Sequence, residues 1–345
     1  MPNGRPIEVA LIYRRSRDLA SFSIESSFDR MVDAFPNTSR FKLRKFISSH
    51  LNSRLLPRLL GMLEVWRHRC AINHITGDVH YFALVLPCNS TVLTIHDCVF
   101  IEEMPRSLRR WAQKFIWFDL PVRRCAAITT VSHATKAAVM RLTGCPADKI
   151  RVIPTVIDPL YSALPKQFNT SEPRVLHIGL APNKNFARHV AALAGLKCHL
   201  HIVGKLLDEH RSLLERHHIN YTNAYNLTRE EMHRCYVDCD LLLFASTLEG
   251  FGMPIIEAQS VGRVVITSDR SSMPEVAGAG ACLVDSTDVA SIRRGLERVL
   301  NNAAYRDDLV AMGTVNAQRF RPDKAALQYE QVYADVFAAL CTAAP

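Results

Sequence analysis

Residues 244–276 read FASTLEGFGMPIIEAQSVGRVVITSDRSSMPEV, and this stretch decides the predicted fold. We expect it to contain the end of a strand, a turn and a helix. The stretch continues an apolar run, Leu241 to Leu243, that is short enough to be a buried strand of a parallel sheet. Gly250 and Gly252 then mark a turn. Proline is favoured at the first position of a helix, so we predict that Pro254 begins one.

The predicted turn is suited to bind an anion. A helix start exposes unpaired N–H groups and the positive end of a dipole, and a preceding glycine lets a ligand approach closely. Glu249 precedes the turn and Glu257 lies just inside the helix, so one carboxylate can face each end of a diphosphate compound. A sugar nucleotide offers hydroxyls at both of these ends. On spacing alone, a strand–loop–helix unit with two solvated glutamates remains the simpler interpretation.

One motif resembles the signature of family 4 glycosyltransferases. It is Glu249-x7-Glu257, with the sequence EGFGMPIIE, and it is followed by Gly262, an apolar strand and Pro274-Glu275-Val276. Members are retaining enzymes that use nucleotide sugars. The resemblance implies an α/β fold of the GT-B type, with two Rossmann-like, doubly wound parallel-sheet domains facing a cleft. It implies sugar transfer from a nucleoside-diphosphate sugar to a hydroxyl of a glycan or glycolipid precursor, as in cell-surface polysaccharide biosynthesis. We expect no cofactor and no metal.

The bulk composition fits a two-domain globular protein with an anionic partner. A chain of 345 residues exceeds the size at which single cores stop growing. The net charge of +9 favours nucleotide phosphates, a nucleic acid or an anionic membrane, although it can also serve solubility alone. No basic strand interleaved with aromatic residues supports nucleic-acid binding, so we expect no nucleic acid.

The cysteine pattern and the apolar runs bear on location. The 10 cysteines are scattered through apolar segments, and residues 1–20 hold no signal-peptide run, so we expect reduced, mostly buried thiols in the cytoplasm. No apolar run approaches the length needed to cross a bilayer. Segment 40–69 is basic and amphipathic, which suits peripheral contact with the inner membrane face. The alternative is a core-packing helix with a solvated basic face, interrupted at Pro57.

Strand-like and helix-like segments alternate along the chain, which indicates doubly wound parallel sheets with ligands beyond the carboxyl ends of the strands. Proline and polar residues cluster over 154–173, which we interpret as a linker. We predict an acceptor-side domain over 1–165 and a nucleotide-sugar-binding domain over 166–325, and the resemblance implies that a helix in 326–345 packs back on the first. The predicted strands are 7–13, 78–84, 91–95, 126–131, 150–156, 174–178, 200–203, 240–244, 264–267 and 281–284. The predicted helices are 23–35, 107–120, 186–194, 229–236, 254–261, 289–300 and 327–340.

Three residues are predicted to act in the chemistry. Lys184 follows a strand and a short turn, where an ammonium can neutralise charge growing on a departing diphosphate. The resemblance implies that Glu249 faces the hexose and stabilises an oxocarbenium-like centre. His96, at another strand end, resembles the histidine that contacts the donor sugar in this family.

The remaining predicted site residues bind the donor. Glu257 would accept hydrogen bonds from the ribose hydroxyls. Backbone N–H groups in the turn and residues of two neighbouring strand ends would hold the phosphates and sugar hydroxyls; these are Phe251, Gly252, Met253, Gly179, Asn183 and Lys205.

Several positions depart from the family pattern. The loop 14–22 has no glycine, Leu180 replaces a basic residue, and Arg263 replaces a proline. The first two support the main alternative, a non-catalytic protein that binds a sugar nucleotide as a partner or sensor. An epimerase of the same architecture is disfavoured by the two-glutamate signature. Asp238-x-Asp240 precedes a strand, the wrong end for a metal site facing the ligand.

Overall fold

A computed structural model describes residues 6–14, 23–49 and 55–343. The chain divides into two compact units, one formed by Met1–Val156 with Pro322–Pro345 and the other by Ile157–Arg321. Each unit contains a six-stranded sheet in which every neighbouring pair of strands is parallel. This pattern confirms the predicted α/β class with two doubly wound sheets.

The strands and helices account for most of the described residues. The strands are β1 Ile7–Tyr13, β2 Phe41–Ile47, β3 Ile72–Ile75, β4 Thr91–Ile95, β5 Ala127–Thr130, β6 Ile150–Val152, β7 Arg174–Ile178, β8 His199–Val203, β9 Tyr221–Ala224, β10 Leu241–Phe244, β11 Val264–Ser268 and β12 Cys282–Val284. The helices are α1 Ser23–Asp33, α2 Leu55–Arg67, α3 Val99–Glu102, α4 Leu108–Lys114, α5 Leu120–Arg124, α6 His133–Thr143, α7 Phe186–Leu193, α8 Asp208–Arg216, α9 Arg229–Asp238, α10 Met253–Val261, α11 Met273–Ala277, α12 Val289–Asn301, α13 Ala303–Ala317 and α14 Pro322–Ala343. The sheet orders are β2-β1-β3-β4-β5-β6 and β12-β11-β10-β7-β8-β9.

The basic segment 40–69 is not a single amphipathic helix. Its first part is β2, an edge strand that pairs with β1, so its lysines and arginines lie on a strand that has a neighbour on one side only. The helical part is α2, and Pro57 lies in its first turn, where a missing N–H costs no intrahelical hydrogen bond. The predicted interruption at Pro57 is therefore wrong.

Two further strand assignments differ from the sequence pattern. The predicted strand over 78–84 is wrong, because His80–Leu84 forms a 3₁₀ helix and the fully buried strand is β3, a little earlier. The strand β9 was not predicted, because its sequence YTNA lacks an apolar run. The helices α6, α8 and α13 were also missed.

The first strand and the last helix pack together in the core of the first unit. Buried α14 side chains, including Tyr329 and Tyr333, pack with Val9 and Leu11 of β1, and the Tyr333 hydroxyl lies 2.8 Å from Nδ1 of His74. The division between the units falls after Val156 instead of after 165, and the C-terminal segment joins the first unit from Pro322 instead of 326. The glycine-free segment lies, apart from Arg14, outside the described residues.

All 10 cysteines are free thiols, and seven of them are buried. Burial raises the pKa of Cys239 to about 12, so this thiol stays protonated at neutral pH. No helix in the described part of the chain is both long and apolar enough to cross a membrane.

Candidate active site

Four predicted residues of the second unit meet where two neighbouring strands end: Gly179, Asn183, Lys184 and Glu249. β7 and β10 pair directly, so the loops that follow them start side by side. Lys184 Nζ lies 2.6 Å from Oε1 of Glu249, and the two side chains are 22% and 12% exposed. Asn183 fastens the loops together, since its Nδ2 donates to the Leu248 carbonyl at 2.9 Å and its carbonyl accepts from the Thr247 N–H at 2.8 Å.

Gly179 shapes the path of the lysine. Its φ is +84°, and a Cβ placed on it would lie 3.1 Å from Cγ of Lys184 and 3.2 Å from Cε. The aliphatic stem of Lys184 therefore crosses directly over the glycine. The ammonium ends 4.8 Å from the ring centroid of Phe244, the last residue of β10.

Gly179→Ala should therefore displace Lys184 from Glu249. The left-handed backbone costs an alanine about 1–2 kcal/mol, and the new methyl group also pushes on the lysine stem. We expect a lower melting temperature and a loss of sugar transfer of roughly tenfold, the equivalent of about 1.4 kcal/mol. Gly195→Ala is the matched control, because Gly195 has φ +73° and open space around its Cα. Equal activity in the two variants would show that the position of the Lys184 side chain does not depend on Gly179.

Two serines hold the loop that carries Glu249. The Ser271 hydroxyl donates to the Glu249 carbonyl at 2.7 Å, and the Ser272 hydroxyl donates to the Phe251 carbonyl at 2.8 Å. Neither serine was predicted to have a role. The signal that could have found them is a pair of hydroxyl residues just beyond the carboxyl end of β11, next to β10 in the sheet.

The turn and helix after β10 form close to the predicted position. α10 begins at Met253, one position before the predicted Pro254. Gly252 caps the helix with φ +106°, a conformation that favours glycine. The predicted ligand-binding N–H groups of Phe251, Gly252 and Met253 therefore belong to the residue before the cap, the cap and the first residue of the helix.

Glu257 receives a hydrogen bond that its position in the sequence does not predict. Its Oε2 accepts from the hydroxyl of Tyr236, a fully buried residue of α9. Burial, together with the nearby Glu257 carboxylate, raises the pKa of Tyr236 well above its usual value. The tyrosine therefore remains a hydrogen-bond donor at any physiological pH, and it orients the carboxylate predicted to bind the ribose.

Tyr236→Phe should weaken donor binding by about tenfold or more, because a hydrogen bond to a charged group is worth about 1.5–3 kcal/mol. We expect KM to rise with little change in kcat. Tyr305→Phe, in the same unit, is the control. The weakening should be seen with a nucleoside diphosphate and should be absent with its 2′,3′-dideoxy analogue. If the variant loses the same affinity for both nucleotides, the tyrosine stabilises the fold and does not act through the ribose hydroxyls.

A buried histidine pair lies beneath the two loops. His177 Nε2 is 2.8 Å from the Gly179 carbonyl, and His189 Nε2 is 3.2 Å from the Ala245 carbonyl. The two Nδ1 atoms are 3.0 Å apart. Burial lowers the pKa of His177 to about 4 and that of His189 well below its usual value, so both rings are uncharged at neutral pH. Asn185 Nδ2 also donates to the Ala245 carbonyl, at 3.0 Å.

The other predicted residues have different contacts. His96 belongs to the first unit, at the end of β4, where it is 8% exposed and its Nε2 lies 2.8 Å from the Thr76 carbonyl. Lys205 is exposed just beyond β8. Leu180 packs on Gly204, since a Cβ there would lie 3.1 Å from Leu180 Cδ1. The family's basic position is thus filled by an apolar contact.

Two charged residues at the amino ends of the strands have structural partners. Asp240 accepts from the N–H of Arg174 at 2.7 Å and lies 2.8 Å from Nζ of Lys166. The guanidinium of Arg263, 4% exposed, donates to backbone carbonyls, those of Leu164, Val237, Val261 and Gly262. These contacts give Arg263 a role in packing.

Comparison with known families identifies the class of protein. Residues 165–314 match the family described as Glycosyl transferases group 1, and residues 4–160 match Glycosyltransferase Family 4. The chain belongs to the family 4 glycosyltransferases, which confirms the resemblance seen in the sequence.

Individual relatives agree with this assignment. The serotype-specific mannosyltransferase WbdA of Escherichia coli is 27% identical over 67% of this chain, but the match spans only 31% of WbdA. The O-antigen chain mannosyltransferase B of Escherichia coli is 26% identical over 70% of this chain and 69% of its own length. The structure of Anabaena Alr3699/HepE, in complex with UDP and glucose, matches with a TM-score of 0.75 at 16% identity, over 95% of this chain and 100% of that one. That likeness establishes the GT-B fold.

Proposed function

We propose that this protein is a retaining glycosyltransferase that moves a sugar from a nucleoside-diphosphate sugar to a hydroxyl of a glycan or glycolipid precursor. The observation that carries the proposal is the Lys184–Glu249 pair at the carboxyl edge of the second sheet, 2.6 Å apart and mostly buried. It places one cation and one anion where a parallel sheet binds its ligand. Polysaccharide assembly is the favoured process, because one relative is named an O-antigen chain mannosyltransferase and another a serotype-specific mannosyltransferase.

Each charged group has a separate task in the proposed reaction. Lys184 neutralises the diphosphate as the bond between the sugar C1 and the phosphate oxygen breaks. Glu249 stabilises the positive charge that grows on the sugar ring, and Glu257 accepts hydrogen bonds from the ribose. His96 is proposed to contact the donor sugar.

Retention follows if the acceptor attacks from the face that the diphosphate leaves. The acceptor oxygen forms its bond to C1, and its proton passes to a departing phosphate oxygen. The charges are then balanced by Lys184 without a metal. We therefore expect transfer to persist in EDTA; loss of activity that Mn²⁺ restores would contradict the metal-independent part of the proposal.

A panel of sugar nucleotides tests the proposal directly. Mannose and glucose, each linked to guanosine or uridine diphosphate, should be compared by thermal shift and then by transfer to glycan or glycolipid acceptors. The names of the relatives make a mannosyl donor the first choice. We expect one donor to raise the melting temperature and to be consumed with retention of anomeric configuration. An inverted product would overturn the proposed stereochemistry.

A non-catalytic sugar-nucleotide sensor is the second candidate, and the position of Leu180 favours it. Because Leu180 contributes to the apolar core beside Gly204, no basic side chain stands where the family pattern has one. Wild type, Glu249→Gln and Lys184→Ala separate the two functions. Equal, negligible turnover in all three with donor binding intact would identify a sensor.

A further inference from the structure

An open cavity lies at the amino edge of the second sheet. Its volume is about 690 Å³, and every residue that lines it belongs to the second unit. Asp240 directly precedes β10 and Val264 begins β11, so the cavity is at the opposite edge of the sheet from Lys184 and Glu249. Small-molecule sites typically have volumes of about 300–1,000 Å³. We call this space the amino-edge cavity and consider it as a second binding site.

The walls of the amino-edge cavity come from three parts of the unit. Segment 163–170 forms one wall, the end of α10 with the start of β11 forms another, and α13 forms the third. The Leu164 N–H donates to the Val261 carbonyl at 3.2 Å, which ties the first wall to the second. Apolar side chains contribute to each wall; they include Pro165, Phe168, Val264, Val310 and Ala311. These walls suit the apolar part of a ligand.

Arg306 of α13 brings a buried positive charge to the cavity. The residue is 8% exposed, and its Nη1 donates to the Val299 carbonyl at 2.9 Å and to the Leu300 carbonyl at 3.0 Å. The carbon of its guanidinium lies 4.2 Å from the ring centroid of Phe168. Among the residues that the structure describes, none accepts a hydrogen bond from its Nε or Nη2, and no carboxylate forms an ion pair with it. A buried charge without a counter-ion is costly, so Arg306 favours an anion in the cavity.

Two further cations and two acids line the same cavity. Arg263 is 4% exposed and donates to backbone carbonyls, and within the described ranges it too has no carboxylate partner. Lys166 lies 2.8 Å from Asp240, whose carboxylate also accepts from the Asn169 N–H at 3.1 Å. Asp307 is exposed. Three cations against two carboxylates leave one positive charge in excess, and the two buried arginines carry it without a counter-ion.

We propose that the amino-edge cavity binds a small organic anion, a molecule with a phosphate or carboxylate group on an apolar body. The anionic group accepts hydrogen bonds from Nε and Nη2 of Arg306, which lie on one edge of the guanidinium and match such a group bidentately. The apolar body lies against Phe168, Val264 and Val310. Binding at this edge of the sheet uses none of the residues assigned to sugar transfer, so the proposal is independent of the proposed reaction.

Isothermal titration calorimetry of the full chain with three probes tests the proposal. Phenyl phosphate carries both the charge and the apolar ring, inorganic phosphate carries only the charge, and benzyl alcohol carries only the ring. We expect phenyl phosphate to bind about tenfold or more tightly than either of the others, because hydrogen bonds to a charged group are worth about 1.5–3 kcal/mol. Equal binding of phenyl phosphate and benzyl alcohol, or of phenyl phosphate and inorganic phosphate, contradicts the proposal.

Two variants locate the bound probe. Ala311→Phe fills the cavity from an exposed position on α13 and should weaken phenyl phosphate binding by about tenfold or more. Ala290→Phe, at an exposed position of α12 that does not line the cavity, is the matched control and should bind like wild type. Arg306→Lys keeps a cation but loses the planar fork, so it should weaken binding of phenyl phosphate and leave that of benzyl alcohol unchanged. If Arg306→Lys does not fold, Ala311→Phe still decides the result.

The candidate active site is also predicted to bind phosphate, so the probe must be shown to bind elsewhere. Lys184→Met should leave the affinity for phenyl phosphate unchanged, and neither uridine diphosphate nor guanosine diphosphate should displace the probe. Loss of binding in Lys184→Met, with full binding in Ala311→Phe, would place the probe in the candidate active site and overturn the proposal. The absence of any heat of binding with millimolar phenyl phosphate would overturn it as well. These measurements do not depend on transfer activity, so a failure here is distinct from a failure of the proposed function.

Discussion

Glu249→Gln should lower kcat/KM for sugar transfer by about 10² to 10³-fold, the loss typical when one preorganised electrostatic group is removed from an active site. Glutamine keeps the shape of the side chain and can still accept a hydrogen bond from Lys184. It lacks the negative charge that we assign to stabilising the sugar ring in the transition state. The measurement is the transfer rate with the donor identified in the nucleotide panel.

The control for this variant is a glutamate that is also paired with a cation. Glu297 lies 2.7 Å from Nε of Arg293 on α12, outside the candidate site. Glu297→Gln should leave transfer within about twofold, because a surface ion pair of this kind is worth about 0–1 kcal/mol. A Glu249→Gln enzyme that retains a third or more of wild-type activity would remove this carboxylate from the chemistry.

Lys184→Met should reduce kcat by about 10² to 10³-fold, since methionine keeps the unbranched stem over Gly179 and removes the ammonium. The loss should depend on the leaving group. With a glycosyl fluoride as donor, no diphosphate departs, and we expect the variant to lose much less. Lys197→Met, an exposed lysine of the same unit, serves as the control.

A double variant gives a further check on the pair. Because the two groups are in contact, the losses in Lys184→Met and Glu249→Gln should not add. Strict additivity, or equal losses with the diphosphate and fluoride donors, would contradict a role for Lys184 at the leaving group.

Local signals in the sequence account for what could be predicted of the fold. The β10–α10 unit was recognised because an apolar run, two glycines and a proline are all local features, and only the helix start moved, from Pro254 to Met253. The edge strand β2 was not recognised, because FKLRKFI carries basic residues that a half-buried edge tolerates. The strand β9 forms by pairing with β8, and a single sequence does not show which segments pair.

The residues of the candidate site also divide into those that local signals predict and those that they do not. Lys184, Glu249 and Asn183 were predicted, and the structure brings them together through the pairing of β7 with β10. The groups that hold them were missed because their contacts join distant parts of the chain. Tyr236 reaches Glu257 from a different helix, and Ser271 reaches the Glu249 carbonyl from the next strand end.

The contact between Lys184 and Glu249 has a consequence for turnover. The two groups lie 2.6 Å apart and neutralise each other. In the proposed reaction the donor exchanges partners with both, because its phosphates bind the lysine and a sugar hydroxyl binds the glutamate. The nucleoside diphosphate left after transfer would bind only the lysine, so re-forming the ion pair between Lys184 and Glu249 would favour its release.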